Sequence, residues 1–227
     1  MSIQLSGVRV RLGENDVLRN VSLDLDARTG AVIGENGSGK STFARLLGGL
    51  ISRTEGTVRV LGLDPGTQAR QLRRRTAFLF SNPDAQIVMP TVAEDVAFSL
   101  RGSGFGPDEL KDRVNTTLNR FGLAALAEHS SHDLSGGQKQ LLALSGSFVR
   151  CPELVIADEP TAFLDARNAR HVADHLFRDT GHRLVLVTHD LTLAQRCDTA
   201  VLFADGRIRT VGAPGTVVAE YERMLEC

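Results

Sequence analysis

Two glycine-rich runs carrying hydroxyl side chains, the first of them charged as well, lie a hundred residues apart in this chain of 227 residues. The first is Gly34-Glu35-Asn36-Gly37-Ser38-Gly39-Lys40-Ser41. Its glycines let backbone N–H groups approach an anion, its lysine can reach over that anion, and its last hydroxyl suits a hard metal ion. Phosphate oxygens match that chemistry. Asn36, Gly37, Ser38, Gly39, Lys40, Ser41 and Thr42 are therefore the candidate binding residues, with Lys40 for the β- and γ-phosphates and Ser41 for Mg²⁺. The second run, Leu134-Ser135-Gly136-Gly137-Gln138, opens a helical stretch with Ser135 as its N-cap. Ser135, Gly136, Gly137 and Gln138 thus offer another set of N–H groups at the positive end of a helix. Further on, Asp158-Glu159 ends an apolar run. Asp158 can hold the same ion as Ser41, directly or through water, and Glu159 beside it can accept a proton from a water attacking a γ-phosphate.

These residues need strands that end, and helices that begin, in the right places. Alternation at Val8, Val10, Leu12 and at Val21, Leu23, Leu25 predicts half-buried antiparallel strands. Ala31-Val32-Ile33 reads as a short buried strand, and Phe43, Leu46, Leu47 and Leu50 fall at helical spacing, which places the first glycine run between strand and helix. Further strands are expected at 57–61, 77–80, 154–157, 184–187 and 200–203. From Thr91 the pattern turns helical, with two helices before Phe121 separated by the glycines of 101–107. Strands alternating with helices argue for an α/β fold with a mostly parallel sheet.

Composition narrows the class. A formal net charge of −1 provides no basic field for nucleic acid and no polybasic patch for anionic lipid, so a membrane role must come through a partner. Apolar runs are too short to span a bilayer, and Met1-Ser2-Ile3-Gln4-Leu5 has no signal-peptide character, so the expected place is the cytosol. Cys151, Cys197 and Cys227 are odd in number and lack CxxC spacing, and are read as reduced thiols. Arg73-Arg74-Arg75 reads as the solvated end of a short helix. His171 and His175, four apart, could share a metal only with further ligands that the sequence does not supply.

A phosphate loop alone fits many nucleotide-binding classes. LSGGQ downstream of it, just before Asp158-Glu159, resembles the ATP-binding-cassette ATPases over nearly the whole chain. The resemblance implies one P-loop cassette over 1–227, with a mostly parallel sheet core, an antiparallel β-subdomain and a helical subdomain inserted at about 82–150. It implies ATP and Mg²⁺ as ligands, Glu159 in Ala157-Asp158-Glu159-Pro160 as general base, and His189 in Val187-Thr188-His189-Asp190 as the switch histidine that probes the γ-phosphate. It further implies a head-to-tail pair of cassettes, homodimer or heterodimer. Each LSGGQ would close on the ATP held by the other chain's Lys40, and Asp165 of Phe163-Leu164-Asp165 would bridge the sites.

Asn82-Pro83-Asp84-Ala85-Gln86 followed by Thr91-Val92-Ala93-Glu94-Asp95 is similar to the energy-coupling-factor branch, importers of vitamins and transition-metal ions. That likeness implies an integral membrane coupling protein docked near Asp84, Glu94 and Asp95, a substrate-binding membrane protein, and a peripheral place on the cytoplasmic face of the membrane. The short chain, together with Arg28–Gly34 and Ser41–Leu46, most resembles biotin-importer ATPases, with cobalt or nickel import as the alternative. Two positions depart from the pattern. Ser81 replaces a glutamine that would span to Mg²⁺ and the attacking water, and Leu12 replaces the aromatic residue that stacks on adenine. A weakly hydrolysing regulatory cassette is the reading these two favour, against intact Lys40, Ser135, Asp158, Glu159 and His189. A soluble cassette of DNA repair would want a basic face or a coiled-coil insert, and neither is present in the sequence.

Overall fold

Alternation in the first 25 residues produces a hairpin. In the computed structural model, which describes residues 3–178 and 181–226, β1 (Ile3–Leu12) and β2 (Asn15–Leu25) pair antiparallel with Ile3 opposite Leu25, Leu5 opposite Leu23 and Val8 opposite Val21. These apolar positions are all buried; Leu5 and Val8, three apart, are both inside because the register shifts between them, where Gly7 takes φ 59°. The chain then runs through β3 (Thr29–Gly34), buried along its whole length, into the glycine loop and α1 (Lys40–Leu47), whose Phe43, Leu46 and Leu47 are buried. β4 (Glu55–Val60) returns to the free edge of β1, giving a three-stranded antiparallel sheet in the order β2-β1-β4.

After α2 (Ala69–Arg75) comes β5 (Thr76–Leu79), one residue earlier at each end than the apolar pattern places it. Two of the three arginines before it are not simply solvated. Arg75 makes a bidentate pair with Glu153 at 2.6 and 2.7 Å, and Arg73 donates to the Gly49 carbonyl at 3.0 Å. α3 (Val92–Phe98), α4 (Pro107–Arg120) and α5 (Gly136–Phe148) follow, then β6 (Leu154–Asp158), α6 (Ala166–Arg178), β7 (Arg183–Val187), the short α7 (Leu191–Ala194), β8 (Thr199–Ala204), β9 (Arg207–Gly212) and α8 (Pro214–Leu225). The second sheet has the order β5-β6-β7-β3-β8-β9. Its β6-β7, β7-β3 and β3-β8 pairs are parallel and β8-β9 is antiparallel. Both sheets up to Phe78 in β5, with α1, α2, α7 and α8, belong to one compact unit, built from 3–78, 153–159 and 182–226.

The other unit, 79–152 with 160–178 and 181, is helical. Its centre is Phe121, fully buried, with ring centroids 5.8 Å from Phe148 and 4.4 Å from His175. His171 stacks on His175 in turn, at 4.9 Å. The two histidines thus form part of an aromatic layer, and burial pulls the His175 pKa down to about 4, so the ring is neutral at physiological pH. Among the three cysteines, Cys151 is an exposed free thiol and Cys197 a buried one, whose pKa burial pushes up to about 12; Cys227, like Met1 and Ser2, lies outside the described residues.

One turn ties the two sheets to the glycine loop. Asp205 (φ 50°) and Gly206 (φ 74°) make the two-residue connection of β8 and β9, a type I′ geometry in which both residues take positive φ. Gly206 N–H donates to the Ser38 carbonyl at 3.0 Å, and its own carbonyl accepts from Arg19 N–H at 2.8 Å. A Cβ at Gly206 would lie 2.3 Å from the Val17 carbonyl oxygen. Gly206→Ala should therefore lower unfolding stability by about 2–4 kcal/mol, from overpacking against backbone and strain at positive φ. Urea unfolding measures it; Asp205→Ala, which removes no close approach, should cost much less.

Candidate nucleotide site

The carboxyl ends of three neighbouring parallel strands bring the chemistry together. Register pairs Asp158 of β6 with Val187 of β7, and Val187 with Val32 of β3. The residues that follow these strand ends, Glu159, His189 and the glycine loop, are thereby delivered to one edge of the sheet, where open α/β sheets bind ligands.

In the loop, Gly34 has φ 141°, and a Cβ there would come within 2.1 Å of the Phe203 carbonyl oxygen, so the position is closed to any side chain. Glu35, Asn36 and Gly37 are exposed, whereas Ser38, Lys40 and Thr42 are buried. Lys40 Nζ donates to the carbonyls of Gly34 and Glu35, both at 2.7 Å, so the ammonium lies across the loop. Burial lowers the Lys40 pKa, while the carboxylates of Glu159, Asp158 and Glu35 act the other way. Ser38 Oγ is buried and has no hydrogen-bond partner among the described residues. A phosphate oxygen would satisfy it. α1 begins on Gly39 without a side-chain cap, which leaves its first N–H groups directed at the same place.

Ser41 Oγ donates to Asp158 Oδ1 at 3.0 Å. Two hard oxygen donors at that separation suit Mg²⁺, the ion the sequence predicts for this pair. Asp158 is only 4 % exposed, and burial raises its pKa above the ordinary carboxylate value against the opposing effects of Ser41, Arg45 and Lys40. Next to it, Glu159 has φ 52°, a left-handed conformation that costs a side chain about 1–2 kcal/mol and turns the carboxylate out of the strand direction. Glu159 Oε2 lies 2.8 Å from His189 Nδ1. The histidine is held by its neighbours: Thr188 N–H donates to Val32 O, Thr188 Oγ1 accepts from Asp190 N–H, and the Asp190 carboxylate caps α7 through Thr192 and Leu193. Leu12, at the end of β1, is 46 % exposed and belongs to the same unit.

The remaining predicted residues are all in the helical unit. Ser135 caps α5 as expected, with Gln138 closing a capping box: Ser135 Oγ accepts from Gln138 N–H at 3.4 Å and Gln138 Oε1 from Ser135 N–H at 2.9 Å. Gly136 is exposed and Gly137 buried. Asp165 caps α6, its carboxylate accepting from the N–H groups of Arg167 and Asn168 and from the Asn168 amide, and these bonds lower its pKa. Ser81 is half-buried in the bend before the 3-10 turn Pro83–Ala85.

Two of the three acids expected to face a membrane partner do other work. Asp95 is buried and accepts from the N–H groups of Val88 and Met89 at 2.8 and 3.0 Å, so it faces inward. Glu94 is the reciprocal half of the capping box that starts α3 on Thr91. Asp84 stays at the surface, paired with Lys139 at 2.8 Å. Sequence reasoning also passed over Gly206, Thr188 and Asp190, which anchor the loop and the histidine. The Asp205-Gly206 dipeptide between two apolar runs was the available signal for the first.

The phosphate loop with its partnerless serine, the Ser41–Asp158 pair and the Glu159–His189 pair define a nucleoside triphosphatase. The family model for the ABC transporter matches residues 18–162, and the chain belongs to that family. It is 40 % identical over 210 residues to an energy-coupling factor transporter ATP-binding protein of Symbiobacterium thermophilum, covering 89 % of this chain and 73 % of that one. It is 35 % identical over 224 residues to the biotin transport ATP-binding protein of Rhizobium etli, covering 99 % of both. Among solved structures, a dimeric ATP-binding cassette in a post-hydrolysis state with ADP and Pi superposes with a TM-score of 0.82 at 27 % identity, over 93 % of this chain and 98 % of that one. The chain is thus an ATP-binding cassette and an ATPase of the energy-coupling-factor and biotin-transporter type.

The raised pKa of Asp158 sets a trade between stability and function. A carboxyl whose folded pKa lies above its unfolded value adds stability only while protonated, so that stability is lost as pH rises from the unfolded value through the folded one. Asp158→Asn keeps an acceptor for Ser41 and removes the buried charge. At neutral pH, without nucleotide, it should melt at a higher temperature than the parent, with the difference vanishing in acid, while Mg²⁺-dependent hydrolysis is lost. Calorimetry across pH and a phosphate-release assay check the two halves.

Proposed function

We propose that this chain is the cytosolic motor of an energy-coupling-factor importer, hydrolysing ATP on the cytoplasmic membrane face as a peripheral subunit. The observation that carries the reading is the contact of Glu159 and His189 at 2.8 Å, one residue beyond the Ser41–Asp158 pair. Lys40 takes the β- and γ-phosphates, with N–H groups of 36–42 around them and Ser38 Oγ among the donors. Ser41 and Asp158 hold Mg²⁺, which when bound neutralises phosphate charge. Glu159 accepts the proton of the attacking water, and His189, beside that carboxylate, contacts the γ-phosphate. Leu12 covers the base with apolar contact alone, which loosens base selectivity.

Ser135, Gly136, Gly137 and Gln138 serve the nucleotide of a second cassette, with Asp165 between the two sites, and the chain acts as one domain whose helical insert spans about 82–150. The dimeric solved relative supports the pairing. No helix among the described residues is long and apolar enough to cross a membrane, so attachment is through an integral coupling protein and a substrate-binding membrane protein. Of the three acids, Asp84 and Glu94 hold exposed positions for that docking, Asp84 paired with Lys139 and Glu94 within its capping box. The nearly end-to-end match to a biotin transport relative favours biotin over cobalt or nickel as cargo. The intact Glu159–His189 pair argues against a purely regulatory cassette.

Replacing Glu159 with Gln removes the proton acceptor and keeps the size and polarity of the side chain. Phosphate release should fall about 100-fold or more while ATP still binds, and the protein should sediment as a dimer with Mg-ATP. Undiminished turnover would remove Glu159 from the role of general base.

A further inference from the structure

The start of α5 is crowded on one side only. A side chain on Gly136 would meet nothing within 4 Å, whereas a Cβ on Gly137 would lie 2.5 Å from Asn168 Cγ and 2.7 Å from both its Nδ2 and Oδ1. Three amide atoms at nearly one distance mean that the Asn168 amide lies flat against the Gly137 backbone. That amide is not free to swing away. Its Nδ2 donates to Asp165 Oδ2 at 2.8 Å, and the backbone N–H of Asn168 donates to Asp165 Oδ1, also at 2.8 Å. One residue therefore touches the first turn of α5 and the cap of α6 together. Helix propensity alone favours alanine over asparagine at such a position, so the amide's contacts are its physical reason for being there.

We propose that Asn168 is a positioning residue: it couples the glycine-rich start of α5 to Asp165, so that Ser135–Gln138 and the Asp165 turn are presented to a second cassette's nucleotide as one rigid piece. The proposal rests on the reading that the start of α5 meets the nucleotide of a partner. A methyl on Gly137 must displace the amide, and the amide can leave only by giving up its bond to Asp165. Deleting the amide leaves Asp165 Oδ2 without its donor and α5 without its wall. The first contact with nucleotide is made by Lys40 and its loop, residues of the other compact unit, and should not register either change.

The test is a double-mutant cycle on the full chain, with Mg-ATP hydrolysis and titration of a fluorescent ATP analogue. Gly137→Ala should lower kcat by about tenfold or more, and Asn168→Ala by about threefold to tenfold, with nucleotide affinity in both within about twofold of the parent. Combining them should restore turnover to the level of Asn168→Ala alone, because the methyl then fits the space the amide filled. A double variant no better than Gly137→Ala, or Asn168→Ala with parental kcat, overturns the proposal. Should Gly137→Ala not fold, judged by its melting curve, the split between kcat and affinity in Asn168→Ala decides alone. Ser135→Arg separates the two levels. If it hydrolyses normally, the reading of α5 as a nucleotide contact fails; if it is inactive and the rescue is absent, only the role of Asn168 fails.

Discussion

The structure depends on backbone approaching backbone where the phosphate loop meets the sheet. Gly34 passes so close to the Phe203 carbonyl that a methyl would overlap it, and Gly206 does the same against Val17. Between them, the Gly206 N–H is bonded to the Ser38 carbonyl. A loop that must aim its N–H groups at a ligand cannot also use them in a helix or a sheet, so it needs anchoring through its carbonyls and its neighbours. The β8-β9 hairpin provides that anchor from strands on the far side of β3. Loop shape is consequently a property of the whole larger unit, held by contacts far apart in sequence.

Charge follows from the same enclosure. Lys40, Asp158 and Glu159 are brought together where water is largely excluded, and desolvation moves Lys40 downward and Asp158 upward in pKa. Both shifts weaken the charged forms that phosphate and Mg²⁺ chemistry needs. On the proposed reading, phosphate beside the lysine and Mg²⁺ beside the aspartate would relieve that desolvation, a cost in folding stability offset on binding. Strain at Glu159, held at positive φ, belongs to the same pattern of stability given up at a functional site.

Much of this was legible in the sequence because its signals are local. The strand-loop-helix context of Gly34 to Ser41, the alternation of β1 and β2, the cap at Ser135 and the apolar strand ending on Asp158 each depend on a few neighbouring residues. What stayed hidden depends on distant ones. The anchoring of Ser38 by Gly206 and the bidentate pair of Arg75 with Glu153 join segments that no periodicity relates. Among the candidate docking acids Asp84, Glu94 and Asp95, the sequence could not show that Asp95 alone is buried, for a related reason. Helical spacing shows which residues share a side, but burial of Asp95 is decided by where Val88 and Met89 leave their N–H groups.

Asp165 and Ser135 raise a conflict that the helical unit has to resolve. Each is an N-cap, and a cap that is bonded to its own helix has less of its oxygen available to a ligand. The two differ in how tightly they are held. Ser135 Oγ accepts at 3.4 Å, a weak bond that a phosphate can displace at little cost, and the capping box keeps Gln138 in place on the opposite bond at 2.9 Å. Asp165 is held by three donors at 2.8 to 3.0 Å and cannot release them without fraying α6. On the proposed reading, Ser135 would be the side chain that exchanges its cap for a ligand, while Asp165 would contribute by where it holds the chain.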